Sequence, residues 1–420
     1  MTLNKISLLQ KYEEYKAEKL KLNLERGQPS DANFDLSNPM LTIITEKDII
    51  SKSGFDLRNY PGGPLGLPEA REFFSTILKV RPEETIVGNN ASLEMLNGLL
   101  MNFLIHGNRN SSKPWIEYKP PKMIVTVPGY DRHFKLLHIL GFEMIPVNMT
   151  SRGPDIDAVE KIAAEDETVK GIVFVPTYSN PTGDVIADEA VNRLASMKTK
   201  AVDFTIFGDD AYCIHHIYDD QKRPKNLLKA CQEAGNPDRV FILSSTSKIT
   251  FAGAGIGFIG LSVENVKFLN TFLETQWITP NKIEQYRHVK MIQNYPGGID
   301  QLMRDHAKIL RPKYELVDQI LTDHLGKSGL AYWTQPKGGY FISLNTKYPI
   351  ADRVVNLVKS IGVGLTPAGT TYPFGKDPNN SNIRIAPTRP PLDELKAAIN
   401  VLVLSIQIAS YEYENGAMIV

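Results

Sequence analysis

One alternation, running from about residue 84 to residue 262, constrains the fold more than any other feature. Short apolar runs rich in β-branched residues occur at "TIVG", "KMIVTVP", "FEMIPV", "GIVFVP", "TIFGDD", "VFILS" and "IGFIG". Most are separated by segments long enough for a helix, at 92–105, 130–140, 155–165, 187–199 and 225–234, with a further helix over 262–276. Strands that are apolar on both faces need cover on both faces, and helices returning between them make neighbouring strands parallel. The fold class that follows is α/β, a large domain built on a mostly parallel sheet of roughly seven strands.

The last third has a different rhythm. A long helix over about 300–325 leads to strands at "LAYWTQ" and "GGYFISL", split by Pro336-Lys337-Gly338-Gly339. A helix at 351–361, a strand near "GVGLTP", the strand "NIRIAP" and a closing helix at 392–410 complete an α+β unit. At the other end, residues 3–24 place apolar and charged positions at helical spacing and predict an exposed helix, followed by irregular chain. The turn-rich "RNYPGGPLGLPEAR" runs into a helix starting near Pro68. The expected organisation is an N-terminal helix and arm over 1–55 that packs with the small domain or a partner subunit, a large cofactor-binding domain over 56–300, and a small domain over 301–420.

Charge narrows the partners. Lys plus Arg number 47 and Asp plus Glu number 47, so the positive field that a nucleic-acid or membrane-surface binder needs is missing. A small anionic substrate remains open, because one or two placed arginines suffice. The N-terminus has no apolar signal core, and "AAINVLVLSIQIAS" is short and carries Asn400 and Gln407, which reads as a packed helix. Cys213 and Cys231 belong to no C-x-x-C pair, which predicts reduced thiols in a cytoplasmic protein and no zinc site.

In such a sheet, ligands gather at the carboxyl ends of the strands. Tyr130, Asn180, Asp209 with Asp210, and Ser245 to Lys248 all follow apolar runs. Lys248 sits in "SSTSKITFAGAGIGFIG". A lysine amine forms an imine with a carbonyl once deprotonated, and hydroxyls with free backbone amides suit a phosphate dianion. That pairing fits pyridoxal phosphate. Asp209 can keep the cofactor's pyridine nitrogen protonated, while Tyr212 and Asn180 can donate to its phenolic oxygen and Tyr130 can stack on the ring. Taken singly, Lys248 also reads as a surface lysine, Asn180 to Gly183 as a turn, and Asp209 with Asp210 as helix caps. Gly255, Gly257 and Gly260 spell the dinucleotide fingerprint G-x-G-x-x-G, with Glu274 near its acidic position. That fingerprint needs its glycines directly after the strand; here Lys248 fills that turn and "IGFIG" reads as the next strand, so the glycines do not indicate NAD.

Asn180-Pro181-Thr182-Gly183, Asp209-Asp210-Ala211-Tyr212, Ser245-Thr246-Ser247-Lys248 and Arg384 in "NIRIAP" stand in one order and spacing. In this the chain resembles the fold-type I pyridoxal-phosphate-dependent aminotransferases. In detail it resembles their divergent bacterial class I/II, or MocR-like, aspartate aminotransferase subgroup. The likeness extends through "NYPGGPLGLPEAR", "VGNNASLEML", "VPGYDRHF" and "PKGGYFISL", nearly the whole chain from about residue 25.

The resemblance implies a ping-pong transfer of the amino group of L-aspartate or glutamate to a 2-oxo acid such as 2-oxoglutarate. Lys248 would hold the cofactor covalently and move the proton, with Asp209 on the pyridine nitrogen, Tyr212 and Asn180 on the phenolic oxygen and Tyr130 on the ring. Ala91 and Ser92, through their backbone amides, would bind the phosphate with Ser245 and Ser247. Tyr60 would reach the phosphate of the other subunit, which implies a homodimer with shared sites. Arg384 would hold the substrate α-carboxylate, Arg132 the side-chain carboxylate, and Asn180 and Gln28 would contact the substrate; Arg287 and Lys282 are rivals to Arg132. Other readings are a broad-specificity or aromatic aminotransferase, a pyridoxal-phosphate-dependent β-lyase, or a cofactor-sensing regulatory domain, the last disfavoured because no basic recognition helix precedes the α/β domain. One departure stands out. The family pattern places a phosphate-binding arginine eight residues after the lysine, where this chain has Ile256.

Overall fold

The computed structural model describes residues 4–219 and 223–420. Its main sheet has eight strands in the order Thr85–Val87, Gly257–Leu261, Val240–Ser245, Thr205–Asp209, Val169–Phe174, Lys122–Val127, Glu143–Thr150, Gly153–Pro154. The five strands from Val240–Ser245 to Glu143–Thr150 pair in parallel. Gly257–Leu261 runs antiparallel between Val240–Ser245 and Thr85–Val87. The extra strand is the two-residue Gly153–Pro154, which folds back on Glu143–Thr150 and is too short to show as an apolar run.

Side-chain alternation divides the sheet between two cores. Ile172, Phe174, Ile206 and Ile242 point to one face, which packs with Val159, Val191 and Leu194. Val173, Phe207, Phe241 and Leu243 point to the other, with Leu96, Leu100 and Phe103. Helices Ile156–Glu165 and Asp188–Ser196 therefore cover one side, and Ser92–His106 the other. Both faces are dry, as the continuous apolar runs require.

A second sheet of Ala331–Trp333, Ile342–Thr346 and Asn382–Ile385 is antiparallel. Helices Ala351–Ile361 and Leu392–Asn415, with the C-terminal half of Gly298–Leu325, pack over it in a separate core. The N-terminal helix, Lys5–Ala17, is less exposed than its spacing predicts. Leu8 and Tyr12 enter this small-unit core, and the Tyr12 hydroxyl bonds Ser360 Oγ at 2.8 Å. Beyond it, Leu22–Asn23 pairs in parallel with Val363–Gly364, the short strand within "GVGLTP". The arm is thus stitched to the small unit of its own chain.

Besides the five-residue Asp31–Asp35, which lies in the stretch read as irregular chain, helix Lys282–Asn294 has no counterpart in the sequence reading. Its buried face includes Lys282, Gln285 and His288 beside Val289, Met291 and Ile292, so no clear apolar stripe marks it. Asn281 caps it by accepting from the Glu284 amide at 3.0 Å. Among the described residues, no helix is long and apolar enough to cross a membrane.

Candidate active site

The carboxyl ends of four parallel strands meet the small unit at one cluster. Strand Thr205–Asp209 delivers Asp209 on its last residue, and alternation sends Asp209 and Asp210 to opposite sides. Asp209 Oδ2 bonds His133 Nε2 at 2.9 Å, and both side chains are buried. Its second oxygen, Oδ1, is buried without a hydrogen-bond partner among the described residues. Asp210 instead lines a pocket with Pro176, Arg223 and Ile242, and burial pushes its carboxyl up to about 6.

His133 was not foreseen, although a signal existed. It lies three residues after Tyr130, one turn into helix Asp131–Ile139, and so shares the edge that Tyr130 occupies. The two rings meet edge to face at 5.0 Å. Tyr130 is itself mostly enclosed, and burial, with Asp209 nearby, pushes its phenol up to about 12.

Tyr212 stacks on Tyr340 at 5.7 Å and meets His215 edge-on. Burial drives the Tyr212 phenol well above its ordinary value, with Tyr130, Tyr340 and Asp209 adding to the effect. Lys248 Nζ lies 5.9 Å from the Tyr340 ring centroid. Burial lowers the Lys248 pKa and the negative charge of Asp209 opposes that shift. The net direction favours the neutral amine, the form that attacks a carbonyl.

Arg384 comes in from the small unit on strand Asn382–Ile385. Its Nη1 donates to Asp131 Oδ1 at 3.1 Å and to Asn180 Oδ1 at 3.4 Å, and its Nη2 donates to Thr366 Oγ1 at 3.2 Å. The Phe341 ring covers the guanidinium at 4.9 Å. Gly27 is needed here, because a Cβ at that position would come within 2.5 Å of the Phe341 ring. Gln28, half-buried, follows directly, and its carbonyl accepts from Thr388 Oγ1 at 2.7 Å.

A cradle closes one side of the cluster. Helix Ser92–His106 begins after Ala91 with no side chain capping it, which leaves amides of its first turn available to an anion. Gly257 lets this helix end approach the sheet, since a Cβ there would lie 2.8 Å from the Ala91 carbonyl carbon. The Ser245 and Ser247 hydroxyls bond each other at 3.2 Å. Ile256, which stands where the family pattern places an arginine, turns inward. Its side chain is buried in the core that holds Phe74, Val87 and Phe258, so an arginine there would enter the core. Gly255 is the residue that faces the turn, because a Cβ on it would meet Thr246 Oγ1 at 3.1 Å and Ser247 N at 3.3 Å.

The remaining candidates are exposed or engaged with other partners. Tyr60 is 68% exposed and Arg132 is exposed at the start of its helix. Lys282 and Arg287 are already engaged. The Lys282 ammonium donates to the carbonyls of Asp56, Asn59 and Pro61, and Arg287 pairs with Glu284 at 3.2 Å. Lys282 thereby holds the loop that carries Tyr60. One and two turns further on, Gln285 Nε2 donates to the Val87 and Gly88 carbonyls at 2.9 and 3.2 Å, and His288 Nε2 meets the Thr246 and Thr250 hydroxyls at 3.0 and 2.9 Å. One helix face thus fixes three loops: those of Tyr60, Ala91 and Lys248.

These residues fit pyridoxal phosphate on their own terms. Among the described residues Asp209 Oδ1 is buried with no hydrogen-bond partner and can accept from a cationic N–H, the helix end at Ala91 presents amides that no side chain caps, and the Lys248 amine is shifted toward its nucleophilic form. Comparison with known proteins agrees. The profile of the aspartate amino-transferase family matches residues 3–418.

The chain belongs to the aspartate aminotransferase family.

Its relatives include an aspartate aminotransferase of Corynebacterium glutamicum, 39% identical over 96% of this chain and 93% of that one. The crystal structure of an aspartate transaminase from the same species superposes with a TM-score of 0.94 at 38% identity, covering 97% of this chain and 96% of that one. The α-aminoadipate aminotransferase LysN of Thermus thermophilus, complexed with N-(5'-phosphopyridoxyl)-L-leucine, shares the fold with a TM-score of 0.75 at 20% identity, covering 98% of this chain and 96% of that one. This family member is a pyridoxal-phosphate-dependent aminotransferase that acts on amino-acid and 2-oxo-acid substrates.

Proposed function

We propose that the amino donor is L-aspartate or glutamate and the acceptor a 2-oxo acid such as 2-oxoglutarate, in a ping-pong cycle. One observation carries the residue assignment: a buried carboxylate with an empty oxygen, a lysine shifted toward its neutral form and a partly committed arginine converge on one cluster. When bound, pyridoxal phosphate supplies an electron sink for negative charge at the substrate Cα.

In this reading Lys248 holds the cofactor covalently and, once released, moves the proton at the substrate Cα. Asp209, oriented by His133, keeps the pyridine nitrogen protonated. Tyr212 and Asn180 donate to the phenolic oxygen and Tyr130 lies on the ring. Ala91, Ser92, Ser245 and Ser247 hold the phosphate. Arg384 binds the α-carboxylate, and Gln28 and Asn180 border the substrate. Arg132 takes the side-chain carboxylate, a role its exposure leaves open to it and one from which Lys282 is withdrawn by its three carbonyls. The exposure of Tyr60 supports its reaching a partner's phosphate in a homodimer. The arm over 1–55 precedes the large cofactor-binding domain over 56–300, which meets the small domain over 301–420 at helix Gly298–Leu325; Leu302 and Met303 of that helix pack with Met40 and Ile249, and its Leu310, Val317 and Leu325 enter the small-unit core. Two buried, unpaired cysteines suit the reducing cytoplasm.

The test is the absorption spectrum of the purified protein. A near-ultraviolet to violet band that shifts on adding L-aspartate and is absent in Lys248→Ala is expected; a protein that stays colourless with added cofactor refutes the assignment. Arg132→Ala tests the substrate. Loss of aspartate turnover with retained aromatic turnover supports the dicarboxylate reading, whereas retained aspartate turnover removes Arg132 from it.

A further inference from the structure

We propose that Asp131 competes with the substrate carboxylate for Arg384 and so sets the affinity of the site. The proposal rests on the reading of Arg384 as the α-carboxylate binder. Asp131 opens helix Asp131–Ile139 of the large unit, and Arg384 reaches it from the small unit, with Nη1 and Oδ1 3.1 Å apart. Both side chains are almost fully buried, at 9% and 7% residue exposure, so solvent and salt screen this contact little.

The donors of Arg384 can be counted. Nη1 is bonded to Asp131 and Asn180, which takes both its hydrogens. Nη2 gives one hydrogen to Thr366. One Nη2 hydrogen and the Nε hydrogen remain, and Nε is buried without an acceptor among the described residues. A buried guanidinium N–H left unpaired is costly, so the fork has room for one more acceptor across Nε and Nη2. Phe341 covers one face of the guanidinium, which leaves approach in its plane.

An arginine reserved for a substrate anion needs no permanent counter-ion, yet this one has Asp131. An incoming carboxylate therefore meets a guanidinium whose charge is already matched, with a fixed anion across the same group. Lys135 offsets this weakly, because it is exposed and its ammonium stands 3.6 Å from the other Asp131 oxygen. Amino-acid and oxo-acid substrates both carry an α-carboxylate, so both are held more loosely than Arg384 alone would hold them. Looser ground-state binding eases product release.

Asp131→Asn removes the charge and keeps the shape. The quantities to measure are KM for L-aspartate, KM for 2-oxoglutarate, and Kd for maleate, a non-reactive dicarboxylate, by absorbance titration of the holoenzyme. All three are expected to fall about tenfold, the order of a like-charge repulsion acting across one guanidinium and weakly offset by Lys135, and Asp131→Ser is expected to move them the same way. Unchanged or raised values in both variants overturn the proposal and make Asp131 an orienting group instead. Arg384→Lys separates the two levels. If it leaves KM and the maleate Kd unchanged, the carboxylate-binding reading fails and this proposal with it. If it raises them while Asp131→Asn lowers nothing, the competition alone is refuted.

Discussion

His133 holds Asp209 by a buried hydrogen bond. Its Nε2 lies 2.9 Å from Asp209 Oδ2, and the other Asp209 oxygen has no partner among the described residues. Replacing His133 with leucine therefore strips a buried carboxylate of the one side-chain donor found on it. A hydrogen bond to a charged group contributes about 1.5–3 kcal/mol, so cofactor affinity and kcat/KM should each fall roughly 10- to 150-fold in His133→Leu. Glutamine is the informative control. Its amide nitrogen reaches about as far as the imidazole Nε2, donates a proton and carries no titration, so His133→Gln should recover most of the loss. Cofactor affinity is read by absorbance titration of the apoprotein, kcat/KM from initial rates, and thermal melting checks that both variants fold. If His133→Leu and His133→Gln behave alike, whether both near wild type or both equally impaired, the hydrogen bond is not what His133 contributes and the reasoning fails.

Far from the cluster, Lys170 and Asp203 form a buried ion pair at 2.9 Å, with the Asp203 carboxylate also accepting from Trp115 and Ser111. Lys170→Met should cost about 3–5 kcal/mol in urea unfolding by leaving a buried charge unpaired, and adding Asp203→Asn should return part of it; additive losses would count against the pairing. Gly257→Ala places a Cβ 2.8 Å from both the Ala91 carbonyl carbon and Met95 Sδ, so it should weaken cofactor binding more than tenfold by displacing the helix end, while an unchanged Kd would show that this close approach is dispensable. Stability should also fall on acidification. Burial holds His215 down at about 3, and His288 and His306 at about 4, so the unfolded chain binds protons that the folded chain refuses. These three terms are fully present above the unfolded value near 6.5 and are lost as pH falls toward 4. Asp210, raised to about 6 by burial, has the opposite sign and offsets one of them. The four groups together give a slope near pH 5 of about 2.7 kcal/mol per pH unit, from a net uptake of about two protons on unfolding; a flat urea-midpoint profile between pH 6.5 and 4.5 would contradict it.

Much of the candidate site was legible because parallel sheets present ligands at strand ends. Tyr130, Asn180, Asp209 and Lys248 each follow an apolar run, and a run of that kind names its own carboxyl end. The structure separates Asp209 from Asp210 by alternation along strand Thr205–Asp209, turning the first to His133 and the second to the pocket of Pro176 and Ile242. His133 was readable in principle from helical spacing after Tyr130, but only the position of Asp209 makes it meaningful. Ile256 shows the opposite case. Counting residues from Lys248 lands on it, whereas the backbone turns Gly255 toward the serines and Ile256 into the core.

By itself, the sequence determined the class of sheet, the extra α+β unit and the chemistry gathered at the strand ends, because apolar periodicity and strand polarity are local properties of a chain. Only the tertiary structure decided how that chemistry is held. Helix Lys282–Asn294 meets the Tyr60, Ala91 and Lys248 loops through backbone carbonyls and hydroxyls, partners that no periodicity of its own residues announces. Arg384 meets Asp131 across 253 positions of chain, and such a pairing exists only once the two units pack.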